Sequence, residues 1–575
     1  MKNLLKYLKG YYRESVLAPT FKCLEAIFEL LVPLAVSQIV DVGIRQENHG
    51  KIFQMCGVMI ALGVIGLICA ISAQFFAARA AVGFATKLRS ALFSHIQRFD
   101  YTVTDRMGTS TLITRMTGDV NAVQTGINMF LRLFMRSPFI VFGAMIMAFT
   151  IDVKLALIFT VTIPALAVVV FGIMLITIPI YKRAQGALDR VVGRVRGNYN
   201  GTRVIRAFNK EEREILEFDR QNQALTKIQR FAGGISALMN PITYVIINVA
   251  VIVLIDRGAL TVQSGRLSQG ELIALYNYMS QILVELIKLA SLIITLNKAT
   301  ASAHRISDVM KTEPKVERQV SAEDSDPQLA VVFDRVSFRY HEKGDEALSD
   351  VSFSVREGET VGIIGGTGSG KSTLANLIPG FYAPTSGSVF IHGKNTALYE
   401  GEELVAQFGI VPQKADLFKG TIRSNLLWGN AHADDDALLH ALELAQAKDF
   451  VLEKEQGLDE PVLQGGSNFS GGQKQRLTIA RALVKQPKFL IFDDSASALD
   501  YATEAKLRAS LSSLSYQPTV FIISQRTSSI MHADRVLVLD DGALVGVGSH
   551  DTLLRDCEVY REIYRSQFPE GGDEA

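Results

Sequence analysis

The sequence predicts an α-helical transmembrane domain of about six helices, followed by an α/β domain with a P-loop. Three observations support this. The first half of the 575-residue chain repeats apolar runs long enough to cross a bilayer. The second half alternates short β-rich runs with helical ones. One of those β-runs leads into a glycine-rich turn closed by lysine and serine.

Hydrophobic residues make up 48% of the chain and the formal net charge is +1, so no overall field points to nucleic acid or to an acidic partner. The four cysteines, Cys23, Cys56, Cys69 and Cys557, have no metal or CxxC spacing and read as small apolar residues. No cleavable signal peptide is visible. Residues 1–15 are basic and tyrosine-rich and read as an interfacial helix on the cytoplasmic side.

A bilayer core of about 30 Å needs roughly 20 apolar helical residues. Such runs start near Val16, Phe53, Met129, Val153, Phe231 and Gly270. Pro164 and Pro179 fall inside the fourth, which transmembrane helices tolerate. Two connections are long and basic, one with Lys87, Arg89, Arg98, Arg106 and Arg115, the other with Lys182, Arg183, Arg190, Arg194, Arg196, Arg203 and Arg206. The alternate connections, 41–51, 151–154 and 256–269, are short or mixed. The positive-inside rule then puts the long loops and both termini in the cytoplasm of a multi-pass protein of the cell membrane. Amphipathic patterning continues through 88–99 and 188–218, so helices extend past the membrane.

The transmembrane domain is expected at 1–310. Residues 311–328 are polar, carry Pro314 and Pro327, and read as a linker. The α/β domain spans 329–568, and the acidic tail 569–575 reads as disordered.

Gly365, Gly366, Thr367, Gly368, Ser369, Gly370, Lys371 and Ser372 fit GxxxxGK[ST], after an apolar strand and before a helix that continues with Thr373. Glycines let backbone N–H groups wrap phosphates, and the helix start favours negative charge. Lys371 is expected to bridge the β- and γ-phosphates of ATP, and Ser372 to hold Mg²⁺. The apolar strand ending at Asp493 and Asp494 reads as a Walker B strand, with Asp493 toward Mg²⁺.

Phe469-Ser470-Gly471-Gly472-Gln473, followed by Lys474, Gln475 and Arg476, is the most diagnostic run. It resembles the signature of ABC transporters, usually LSGGQ. The resemblance implies that Ser470, Gly471, Gly472 and Gln473 bind ATP held by another subunit's P-loop. It also implies that Tyr340 stacks on adenine, that Gln413 senses Mg²⁺ and contacts the membrane domain, and that Ser497 to Asp500 form the D-loop. Gln525 stands at the switch position. Residues 201–218 and 301–309 resemble the membrane half of type I (type IV) ABC exporters, closest to the bacterial heterodimeric multidrug-type subfamily.

Two positions depart from the family pattern. Asp494 stands where a catalytic glutamate is usual, and Gln525 where a histidine is usual. Both belong to the site on this chain's own P-loop, whereas the signature it offers is intact. That asymmetry implies a heterodimer with a second, non-identical half-transporter, this chain bringing a degenerate, weakly hydrolysing ATP site. The implied activity is ATP-driven efflux of a hydrophobic or amphipathic substrate. A lipid flippase or peptide exporter of the same architecture is the alternative. The fused spans argue against a soluble ABC ATPase, and the single-chain fusion argues against an importer. A channel-gating role is separable by vesicle flux.

Glu285 and Lys288 share one face of the last span, so they either face a substrate cavity or pair with each other. Arg132 and Arg136 are expected to line the inner vestibule. The cytoplasmic loop ends near 109–115 and 200–207 are expected to dock on the nucleotide domain close to Gln413.

Overall fold

The computed structural model describes residues 2–313, 325–341, 344–399, 402–495 and 499–568. Most of the expected linker and all of the expected disordered tail lie outside the described residues, as do Ser497 and Ala498 of the D-loop. The chain divides into two compact units. One comprises Met1–Gln97 and Gly108–Thr312, the other Arg98–Met107 and Glu313–Ala575.

Among the described residues, the first unit holds six helical segments long and apolar enough to cross a membrane: Tyr12–Ile44, His49–Ile96, Thr109–Ile151, Val153–Asn200, Glu211–Gln263 and Gln269–Lys311. The 48 residues of the fourth make a helix of about 72 Å at 1.5 Å per residue, more than twice a bilayer core. It runs unbroken through Pro164 and Pro179. Residues 2–8 form a short 3₁₀ helix before the first span. Turns between the spans are tighter than the charges suggested. Asp41 lies in a π-helical turn ending the first span, and Asp256 and Arg257 lie within the fifth. Asp41 accepts the Gly270 amide at 2.8 Å and the Ser268 hydroxyl at 2.5 Å, satisfying donors at the start of the last span.

Inside this unit the ionisable residues form a network across three spans. Arg136 donates to Glu285 Oε1 and to Glu29 Oε2, each at 2.6 Å. Glu285 Oε1 also accepts from Lys288 at 2.8 Å, and Oε2 from the Ser137 hydroxyl at 2.8 Å. The pairing of Glu285 with Lys288 is therefore present, but Arg136 joins it from the third span. Arg136 does not line a vestibule: its buried guanidinium is surrounded by Glu25, Glu29 and Glu285. Removing one member of a buried ion cluster leaves the others uncompensated, at about 3–5 kcal/mol. Arg136→Met is thus expected to lower the thermal unfolding midpoint in detergent far more than Lys288→Met, whose ammonium is half exposed. Equal shifts would contradict this arrangement.

In the second unit twelve strands are described: β1 (Leu329–Phe338), β2 (Leu348–Arg356), β3 (Thr360–Gly365), β4 (Ser386–Ile391), β5 (Lys394–Asn395), β6 (Phe408–Val411), β7 (Gly420–Thr421), β8 (Pro461–Val462), β9 (Phe489–Asp493), β10 (Thr519–Ile523), β11 (Arg535–Asp540) and β12 (Ala543–Gly548). The main sheet has the order β12-β11-β3-β10-β9-β6 and is parallel except for β12. Its strands are apolar runs, as expected of a parallel sheet covered on both faces. A smaller sheet, β2-β1-β4-β5, is antiparallel, and β7 pairs with β8. Val331, Phe333 and Val389 of the small sheet share a core with Ile363, Ile491 and Phe521 of the large one. A separate core gathers Leu438, Leu442, Val451, Phe469 and Leu483 beneath the signature helix.

Candidate functional site

In a parallel sheet, ligands bind beyond the carboxyl ends of the strands. Four neighbouring strands deliver the predicted residues there. β3 runs into the glycine-rich turn, β9 ends on Asp493, β10 precedes Gln525, and β6 precedes Gln413. Register aligns them: Ile523 pairs with both Ile363 and Asp493, and Val411 pairs with Phe492.

The turn after β3 needs its glycines. Gly370 has φ +94°, and a Cβ there would lie 2.5 Å from the Ala347 carbonyl oxygen. A Cβ on Gly365 would lie 2.1 Å from the Leu539 carbonyl oxygen. The helix Lys371–Leu377 starts immediately after this turn. Lys371 is buried, and its ammonium donates to the carbonyls of Gly365 at 2.9 Å and Gly366 at 2.5 Å, with Ser369 Oγ at 3.4 Å. Burial pushes its pKa down, and the Asp494 and Asp493 carboxylates oppose that. Ser372 donates to Asp493 Oδ1 at 2.9 Å. Burial pushes Asp493 up, with the neighbouring Asp494 charge adding to it.

A cavity of about 370 Å³ opens here. Tyr340, Thr367, Gly368, Gly370, Lys371, Ser372, Thr373, Gln413, Asp493, Asp494 and Gln525 all line it. Gly365, Gly366 and Ser369 belong to the same loop without lining the cavity, Gly365 and Ser369 buried and Gly366 exposed. The Tyr340 ring is 42% exposed and held edge-on against Phe338 and Tyr382, with its hydroxyl 3.0 Å from Thr373 Oγ1. Gln413 Nε2 donates to Asp494 Oδ2 at 3.2 Å. Asp494 has φ +44°, a backbone state that aspartate tolerates better than most residues. Two lining residues, Ala347 and Ile523, carry no motif and were not legible in the sequence.

Ser470, Gly471, Gly472 and Gln473 do not line this cavity. Ser470 caps the helix Gly471–Leu483: its hydroxyl accepts the Gln473 amide at 3.3 Å, and Gln473 Oε1 accepts the Ser470 amide at 3.0 Å. Ser470 and Gly471 are exposed, so an exposed helix N-terminus faces outward. Phe469 is buried in the core below, filling the place of a leucine. In the D-loop, Asp500 Oδ1 caps the next helix by accepting the Thr503 amide at 2.9 Å.

The nucleotide-binding unit also contains the short helix Tyr101–Met107, drawn from the connection between the second and third spans. Tyr101 stacks on Phe381 with centroids 4.5 Å apart, and the Tyr382 hydroxyl donates to Asp105 at 2.6 Å. Burial, with the Asp105 carboxylate beside it, holds the Tyr382 phenol well above its usual range. Residues 101–107 thus pack on Phe381 and Tyr382 within this unit, whereas 109–115 and 200–207 belong to the other unit. Phe381 and Tyr382 carry no motif, so this packing was not legible in the sequence.

Residues 16–286 match the ABC transporter transmembrane region family, and residues 348–497 match the ABC transporter family. The chain is 36% identical to the uncharacterized ABC transporter ATP-binding protein YfiB of Bacillus subtilis over 575 residues, covering all of both chains. An uncharacterized ABC transporter ATP-binding protein of Mycobacterium tuberculosis is 36% identical over 569 residues, covering 98% of this chain and 97% of its own. Among solved structures, a bacterial Atm1-family ABC exporter with ATP bound superposes with a TM-score of 0.81 over 98% of this chain and 99% of that one, at 24% identity. Matched end to end by such relatives, with six spans in one unit and a P-loop site in the other, the chain belongs to the ABC transporters: it is a multi-pass, ATP-hydrolysing half-transporter with the exporter fold.

Proposed function

We propose that this chain is the subunit of a heterodimeric exporter that carries the degenerate ATP site and moves a hydrophobic or amphipathic substrate out of the cytoplasm, with both termini cytoplasmic. One observation carries the reading. Asp494 and Gln525 line the cavity on this chain's own P-loop, while the intact signature lies away from that cavity, exposed. Loss of the usual base and switch residue in one site, beside an intact signature serving another, fits a non-identical partner. Native mass spectrometry of the tagged chain from its own cells is expected to give a one-to-one complex with a different half-transporter. A pure homodimer with cooperative ATPase contradicts it.

Within the site, Lys371 and the loop amides would hold the phosphates, and Tyr340 the base. The Ser372 hydroxyl, the Asp493 carboxylate and the Gln413 amide oxygen form an all-oxygen donor set, which fits Mg²⁺. That ion would neutralise phosphate charge and lock the nucleotide orientation.

The helix Tyr101–Met107 would transmit nucleotide state to the spans. Tyr382→Phe removes the bond to Asp105, and Asp105→Asn removes its charge. Either variant is expected to reduce substrate-stimulated ATPase several-fold while nucleotide affinity changes less than twofold. A parallel fall in affinity would place the effect in the nucleotide site instead.

A further inference from the structure

We propose that the cavity between the first and last spans binds an amphipathic zwitterion, its cationic group at Glu29 and its anionic group at Lys288. The proposal rests on the export reading above and supplies a substrate class for it. The cavity measures about 400 Å³, within the range of small-molecule sites. Its walls include Glu29, Val32 and Pro33 of the first span and Gln281, Glu285 and Lys288 of the last.

The charges on these walls have unlike duties. The Glu285 side chain is 3% exposed, and Arg136, Lys288 and Ser137 all donate to it. Its acceptor capacity is largely used, and it serves as a strut. Glu29 and Lys288 are 40% and 42% exposed. Among the described residues each makes one bond, Glu29 Oε2 to Arg136 and Lys288 to Glu285. The carboxylate keeps a second oxygen, and the ammonium keeps two more N–H donors. Gln281 adds a buried Oε1 without a hydrogen-bond partner, and such atoms ordinarily have one.

A lone cation would gain Glu29 but face Lys288, and a lone anion would meet the reverse. At membrane depth, where charges are weakly screened, a molecule carrying both signs satisfies both walls. Its apolar part would lie on Val32 and Pro33. The chemistry is shared by two sources: a phosphatidylethanolamine headgroup from the bilayer, or an apolar zwitterionic solute from the cytoplasm.

The test uses the full-length chain in its native complex, in nanodiscs of phosphatidylglycerol alone. The probes are radiolabelled dioctanoyl phosphatidylethanolamine and leucyl-leucine. Each is compared with its N-acetylated form, and the dipeptide also with its C-terminal amide. At least one zwitterion is expected to bind tenfold or more tighter than its singly charged derivatives, and the tighter probe identifies the source. Glu29→Gln should erase the advantage over the acetylated form, and Lys288→Gln the advantage over the amide. The exchange Glu29→Lys with Lys288→Glu should restore zwitterion binding in reversed orientation. Equal binding of zwitterion and derivatives to the unmodified protein overturns the proposal without any variant. So does equal weakening of every probe by both variants. Flux is read separately in inverted vesicles. Export of an apolar dye without selective zwitterion binding removes the site and leaves the export reading. Selective binding without ATP-driven flux of any compound keeps the site and removes export.

Discussion

Lys371→Ala is expected to weaken ATP binding at this chain's own P-loop by on the order of 100-fold or more. The ammonium is the one cation in the loop, buried, and already held by the carbonyls of Gly365 and Gly366. A hydrogen bond to a charged group contributes about 1.5–3 kcal/mol, and a lysine bridging two phosphates makes at least two. Because burial lowers its pKa, raising the pH should weaken binding earlier than an exposed lysine would. The signature helix lies in a separate core, so the folded partner site should survive the change. Photolabelling the intact complex with an azido-ATP and then separating the subunits reads each P-loop alone. Equal loss of labelling on both chains would show that the two sites do not act as described.

The second large effect is a gain. Asp494→Glu with Gln525→His, in a complex whose partner lacks its own catalytic glutamate, is expected to raise hydrolysis on the order of 100-fold above background. A general base must reach the attacking water. Aspartate is one methylene shorter than glutamate, which withdraws the carboxylate by roughly 1.5 Å, and about 1 Å of misplacement can cost on the order of 100-fold. Gln413 further holds the Asp494 carboxylate at 3.2 Å. Gln525 can donate a hydrogen bond but cannot bring the positive charge of an imidazolium to the transition state. The φ of +44° makes glutamate less comfortable than aspartate, by about 1 kcal/mol, so the unfolding midpoint is measured beside the rate. A flat rate in a folded variant would place the defect in the signature that the partner presents.

The sequence revealed most where chemistry demands fixed spacing. The P-loop was legible because phosphate binding needs glycines, a lysine and a helix start in order, and the acidic end of β9 became legible once the P-loop preceded it. The signature, Gln413 and Gln525 were legible through the family resemblance, and the sheet register explains why all four strand ends converge. What the sequence hid was tertiary pairing. Arg136 is 149 residues from Glu285, and nothing local marks that they meet. Asp105 and Tyr382 are 277 residues apart, joined by one hydrogen bond. Span boundaries were blurred for a related reason. Asp41, Asp256 and Arg257 looked like loop residues by charge, yet capping and helix extension place them in helices.

The most direct measurement is steady-state ATP turnover of the purified chain, alone and with its copurifying partner, in nanodiscs. A degenerate site predicts tight nucleotide binding with turnover near background for the chain alone, and a rise of at least tenfold when the partner is added. That rise should vanish on mutating the partner's base but persist on Asp494→Asn. Rapid, cooperative hydrolysis by a demonstrated homodimer of this chain, abolished by Asp494→Asn, would contradict it.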